Sequence, residues 1–306
     1  MNRESEAQVL KWFQAGLLIP LAAAGAESGW KPAALLLGAA LILYNINGRL
    51  DRVRPPTWLC LLRALTATAI LGSCGIWLSR LWNPGEENRA VTIILLLLAG
   101  HTCTGGTEKA ARVGAVLWRL LVLGGGLILF FGVAELKTVH TYHPQPGDPA
   151  LLCLMALTML TMKSLDGGSG EEQKLLPPAT AVLMTAFAAG QTRGEGKLHQ
   201  WVSGLTVNGK PLRMEVLLSV LMTLGWYALF TLQLTIIRKE AEKTGEGKRG
   251  VIAVWGSILL SVGILLYGRV VIAPLTAMIM AEYTVIPGIL TLAKRKKRKT
   301  EKGVDK

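Results

Sequence analysis

Residues Val251 to Lys299 read VIAVWGSILLSVGILLYGRVVIAPLTAMIMAEYTVIPGILTLAKRKKRK. Two apolar runs are separated only by Gly268-Arg269, and each approaches the ~20 residues that carry a helix across a bilayer. Six consecutive cations follow, from Lys294 to Lys299. Such a cluster is costly to translocate, so the tail is expected in the cytoplasm, where it sets the orientation of the preceding chain. One acid interrupts the apolar pattern. Glu282 lies ~18 Å before Lys294 at a rise of ~1.5 Å per residue, close to mid-bilayer. A carboxyl group at that depth calls for a functional reason or a partner.

The remainder of the chain fits this hairpin. Of 306 residues, 51% are hydrophobic, and the charges fall in short clusters. This composition indicates an all-α polytopic membrane protein in which one bundle holds residues 1–293 and a basic cytoplasmic tail follows at 294–306. The net charge of +13 would otherwise raise nucleic acid as a partner. Here 8 of the 33 cations lie at or beyond Lys294 and most others fall between apolar runs. Orientation and contact with anionic lipid therefore account for the charge, and no nucleic acid partner is expected. Cys60, Cys74, Cys103 and Cys153 lie in or beside apolar runs without metal-ligand spacing and read as small buried hydrophobes. The first run is read as a retained helix rather than a cleaved leader, although Ala22-Ala23-Ala24 resembles a signal-peptidase site.

Ten segments are expected, at 8–25, 30–47, 57–80, 90–104, 112–134, 149–163, 174–190, 214–237, 251–267 and 270–293. The fourth, sixth and seventh are short, which suits segments buried by neighbours or lining a cavity. An even count with a cytoplasmic C-terminus places the N-terminus in the cytoplasm too. The cations then divide 22 inside and 9 outside, with Arg63 and Arg119 left within segments. Arg63 stands one turn inside its segment, where its stem can snorkel. A buried ion pair is the alternative, and Arg119 reads the same way. Gly124-Gly125-Gly126 reads as a site of close helix approach. His140 and His143 lack a third ligand, so no metal or other cofactor is expected. The stretch 191–213 reads as an interfacial helix or loop anchored by Trp201.

No His-Glu-x-x-His, paired intramembrane aspartates or Gly-x-Ser-x-Gly turn is present, so the chain does not read as an enzyme. Segment one contains Gly16-Leu-Leu-Ile-Pro20, in which proline removes a helical hydrogen bond. That is either a packing kink or a discontinuous helix whose freed backbone groups face a substrate. Gly106-Thr-Glu108-Lys-Ala-Ala-Arg112 places Glu108 and Arg112 four apart, where they can pair on one helix face.

The Gly-x-Glu-x-x-Ala-Arg run at 106–112 resembles the one that follows the fourth transmembrane segment of GerAB-type spore germination permeases. Those proteins are relatives of the amino acid–polyamine–organocation transporters. Gly16-Leu-Leu-Ile-Pro20 is similar to the family's first helix, and Ser28-Gly29-Trp30 to the start of its second. The loop near Pro144, Leu212-Arg213-Met214-Glu215 before the eighth segment and the basic tail fall in the same order. Segment six departs from the pattern. It has no internal glycine or proline, and Thr158 and Thr161 stand where the family's sixth helix breaks. The resemblance implies a five-plus-five inverted-repeat bundle in the cytoplasmic membrane, which would be the spore inner membrane. It further implies a permease-like B subunit of a nutrient germinant receptor that senses or transports a small, amino acid-like organic solute. A-type membrane and C-type lipoprotein subunits would be its partners. Gly16, Pro20 and Thr158 would contact the solute, and Glu282 would be a proton- or cation-responsive acid. Glu108–Arg112 would be a structural ion pair. The competing expectation is a non-transporting scaffold or assembly subunit, favoured by the short segments and the unbroken sixth.

Overall fold

In the computed structural model, the residues described are 8–17, 20, 38, 56–81, 89–134, 158, 161, 202, 205–207, 210–211, 213–245, 247–267, 272–290 and 292–293. Residues 8–17 are helical. Then come α1 (Thr57–Leu81), α2 (Arg89–Thr104), α3 (Gly106–Ala134), α4 (Glu215–Glu242), α5 (Gly247–Tyr267) and α6 (Ile272–Met280). A π-helical turn, Ala281–Val285, continues directly from α6. The expected segments at 57–80, 90–104, 214–237 and 251–267 therefore coincide with α1, α2, α4 and α5 to within a few residues. The fifth begins earlier than expected, at Gly106, because Gly106 takes a φ of +88°. That conformation suits glycine and lets α3 restart after a single turn residue. The segments at 30–47, 149–163 and 174–190, the pairs His140 and His143, Trp201 and the tail at 294–306 lie outside the described residues, apart from positions 38, 158 and 161.

Among the described residues, four stretches are long and apolar enough to cross a membrane: Thr57–Ser79, Glu108–Ile128, Glu215–Glu242 and Lys248–Tyr267. The composition of these helices suggests an integral membrane protein. Their environments differ sharply. In α1 and α4, 72% of the apolar stretch is buried, against 28% in α3 and 33% in α5. So α1 and α4 form the centre, while α3 and α5 turn large side chains outward. Val116, Leu120, Leu123, Leu127 and Phe130 are exposed on α3, as are Ile252, Leu259 and Leu260 on α5. An apolar outward face is what lipid requires.

The packing follows from side-chain size. Near one end of α4, Leu221 packs against Gly124 of α3. Near the other end, Arg238 donates to the Cys103 carbonyl beside the α2–α3 turn. The two helices therefore run antiparallel. Of the three consecutive glycines, only Gly124 meets a neighbour among the described residues, and Cβ atoms at Gly125 or Gly126 would meet none of them within 4 Å. On the opposite side, Gly72 of α1 faces Ile264 of α5, and Gly100 of α2 faces Ile258. Small residues facing branched ones let apolar helices approach closely without a hydrophobic driving force between them. Outside the helices, Thr206–Val207 pairs antiparallel with Lys210–Pro211. The intervening dipeptide in the sequence is Asn208-Gly209, a strong hairpin signal that the expected helix-or-loop reading of 191–213 passed over.

Candidate functional site

The π turn positions Glu282. The Ile286 N–H bonds to the Ala281 carbonyl, five residues back. In that register the carbonyl of Glu282 should accept from residue 287, which is proline and has no N–H. The orphaned carbonyl is thus that of Glu282, one residue earlier than a continuous α-helix through Pro287 would leave it. It is capped from another helix: Arg63 Nη2 donates to Glu282 O at 3.3 Å. π turns often mark functional positions because they free backbone groups in this way.

Around that contact lies a buried ionic cluster. Arg63 is 3% exposed, whereas Glu240 and Glu282 are fully buried. The Arg63 guanidinium stacks over the Tyr283 ring at 4.7 Å and stands 4.0 Å from Glu240 Oε1. Glu240 Oε1 also receives Lys243 Nζ at 2.7 Å. The Thr66 hydroxyl donates to Glu282 Oε1 at 2.5 Å. The second carboxyl oxygens, Glu240 Oε2 and Glu282 Oε2, have no hydrogen-bond partner among the described residues. Snorkelling of Arg63 is therefore overturned in favour of its alternative. The turn between α6 and Pro287 brings a carbonyl that needs a donor, and Arg63 turns inward to supply it. Thr66 lies nine residues into α1, ~13.5 Å along the helix axis.

The other expected residues fall elsewhere. Gly16 packs against Ala228 and Gly225 of α4, and Gly225 in turn faces the Gly16 carbonyl and the Pro20 ring. A Cβ on Gly225 would lie 2.9 Å from the Gly16 carbonyl oxygen and 3.0 Å from Pro20 Cδ. Gly16 and Pro20 thus meet at a tight helix crossing built around a glycine that sequence reading did not single out. Thr158 is buried, and its carbonyl accepts the Thr161 hydroxyl at 2.8 Å. Gln233 of α4 donates to Thr161 Oγ1 at 3.1 Å, while Gln233 Oε1 accepts no hydrogen bond. Thr158 and Glu282 therefore belong to two separate polar contacts along α4, one at Gln233 and one at Glu240.

Glu108 occupies the first turn of α3, and both it and Arg112 are exposed. Among the described residues the ion pairs fall elsewhere, at Arg63–Glu240, Arg238–Glu242 and Lys243–Glu240. What the Gly106–Arg112 run does visibly is make a joint. Gly106 supplies the turn, Glu108 complements the positive end of the helix, and Ala110 and Ala111 are buried. Arg238 secures the joint from α4 and is held in turn by Glu242 at 2.6 Å. Among the described residues there is no group of three or more His, Cys, Asp or Glu side chains able to hold a metal ion. Compared with known proteins, the chain matches no family model and no curated protein.

Proposed function

We propose that this chain is a permease-like integral membrane subunit that senses or transports a small, amino acid-like organic solute, with both termini cytoplasmic and about ten membrane segments in a transporter-like bundle. The observation that carries the reading is the buried cluster of Arg63, Glu240, Glu282 and Thr66 beside a π turn. A bundle that only had to pack would have no use for three ionisable groups placed where each is costly. Intramembrane acids of this kind mark ion or solute pathways. The resemblance of the Gly106–Arg112 run and of Gly16–Pro20 to GerAB-type permeases points to the B subunit of a germinant receptor, with A-type and C-type partners.

The test is direct binding. The full-length protein in lipid nanodiscs is titrated with radiolabelled amino acids, sugars and nucleosides. Saturable binding that is weakened at least tenfold by Glu282→Gln is expected. No saturable binding to any of them, with Glu282→Gln and Gly16→Ala leaving the cellular phenotype intact, overturns the solute reading.

One observation favours a second reading, that of a non-transporting scaffold. Gly16, Pro20 and Gly225 are in close contact, so the first segment meets α4 as a packed crossing. Co-purification of stoichiometric membrane partners without solute binding would decide for it.

A further inference from the structure

The two buried carboxyl groups stand in unequal company. Glu240 faces two cations, Lys243 at 2.7 Å and Arg63 at 4.0 Å. Glu282 receives one hydroxyl hydrogen bond, from Thr66, and its contact with Arg63 runs through its backbone carbonyl. Among the described residues, each acid keeps one oxygen with no hydrogen-bond partner, although both residues are fully buried. A bare carboxylate oxygen out of water is expensive, and a proton or a metal cation would remove the cost. The surroundings choose between them. The guanidinium beside the acids repels a metal ion. A metal would also need several oxygen ligands, and among the described residues no cluster of acids, cysteines or histidines supplies a metal site. A proton needs only the bare oxygen.

From this geometry we infer that Glu282 and Glu240, set on either side of Arg63, form one proton-exchanging unit that holds a single proton on Glu282 and communicates with the aqueous phase through the Lys243 end of α4. Among the described residues, the groups facing the unit are Cys60, Arg63 and Thr66 from α1, Glu240 and Lys243 at the end of α4, and Tyr283 beside Glu282. With the proton on Glu282, Arg63 and Lys243 both balance Glu240. When the proton leaves for water, Glu282 becomes a second anion, and Arg63 is the cation placed to balance it. Lys243 is 40% exposed and remains with Glu240, so the loss of one proton moves the balance of Arg63 from α4 towards the π turn. This deepens the solute-coupled reading by naming the proton as the ion, and rests on that reading only for its biological use.

The experiment needs no solute. Full-length protein in nanodiscs is examined by infrared difference spectroscopy between acid and alkaline pH, in water and deuterium oxide. One protonated-carboxyl band per chain is expected, lost in Glu282→Gln and retained in Glu240→Gln. In Glu240→Gln the proton affinity reported by the band falls about tenfold, because a neighbouring negative charge is gone and Arg63 is released. Thr66→Val, which changes no charge, should shift the frequency of the band. It also serves as the test if Glu282→Gln does not fold. Persistence of the band in Glu282→Gln overturns the inference. So does an unmoved midpoint in Glu240→Gln, an unshifted band in Thr66→Val, or loss of the band on adding sodium or potassium at constant pH. Normal proton uptake without any solute binding would instead sink the proposed function and leave the proton unit standing.

Discussion

Arg63 and Arg119 both lie within membrane-length helices, and the structure treats them in opposite ways. Arg63 on α1 is 3% exposed, faces Glu240 and caps the Glu282 carbonyl. Arg119 on α3 is exposed, on a helix whose apolar stretch is only 28% buried. The difference lies in the neighbours rather than in the arginines. α1 packs beside a π turn that presents an acceptor and one buried acid, Glu282, and beside the end of α4, which presents the other, Glu240. α3 turns Val116, Leu120 and Leu123 outward around Arg119, so its side chain can reach an interface along its own helix. An intramembrane arginine thus acquires a role only where another element leaves a buried group to satisfy.

The sharpest way to break this contrast is to remove both charges in turn. Arg63→Met leaves Glu240 with Lys243 alone and the Glu282 carbonyl without its donor. Breaking a buried pair from one side costs about 3–5 kcal/mol, so strong destabilisation is expected. Arg119→Met should shift stability by only about 0.5 kcal/mol. Unfolding of both variants in matched detergent measures the difference. Equal losses would mean that Arg63 is no better anchored than Arg119.

A second contrast concerns glycines. Gly225 is packed against the Gly16 carbonyl and the Pro20 ring, whereas Gly126 meets nothing within 4 Å. Gly225→Val should cost about 3 kcal/mol, the upper end for overpacking, because its obstacle is partly backbone. Gly126→Ala should stabilise α3 by about 0.5 kcal/mol by reducing the freedom of the unfolded chain. Thermal unfolding of the two variants should move in opposite directions.

A third test addresses the joint between α2 and α3. Arg238→Gln removes the donor to the Cys103 carbonyl and the partner of Glu242. The group is 22% exposed, so water compensates in part. A loss of about 1.5 kcal/mol is expected from its charge-assisted hydrogen bonds. Hydrogen exchange at Gly106 and Thr107 should accelerate selectively, since the joint opens before the bundle does.

What the sequence made legible was whatever depends on local composition. The lengths of α1, α2, α4 and α5 follow from uninterrupted apolar runs, and the deep acid at 282 stands out by charge alone. Glu240 did not stand out, because Arg238-Lys239-Glu240 looks like an ordinary polar flank. Its burial arises when α1 packs over the end of α4. Gly225 was silent for the same reason: a single glycine in an apolar run acquires meaning only from what crosses it. In a continuous α-helix Pro287 would leave the Tyr283 carbonyl without its donor, and the π turn makes the affected group Glu282 instead. A change of helical register is a tertiary outcome, and nothing in the residue spacing announces it.

The smallest expected effect separates the two polar contacts along α4. Gln233 donates to Thr161 but leaves Oε1 buried and unpartnered, while Thr161 keeps its own bond to the Thr158 carbonyl. Gln233→Leu therefore loses one hydrogen bond and relieves one unsatisfied acceptor. The two effects are comparable, at about 1 kcal/mol each, so stability should stay within about 0.5 kcal/mol of the parent. Glu240→Leu, at the other contact on the same helix, removes the buried carboxylate that Arg63 and Lys243 face and should be far more damaging. Thermal unfolding of the pair would show whether buried polarity in α4 matters wherever it occurs or only where a charge must be held. A large loss in Gln233→Leu would give the Thr158–Thr161 contact a weight equal to that of the ionic cluster. The centre of the bundle would then hold two structural polar sites instead of one.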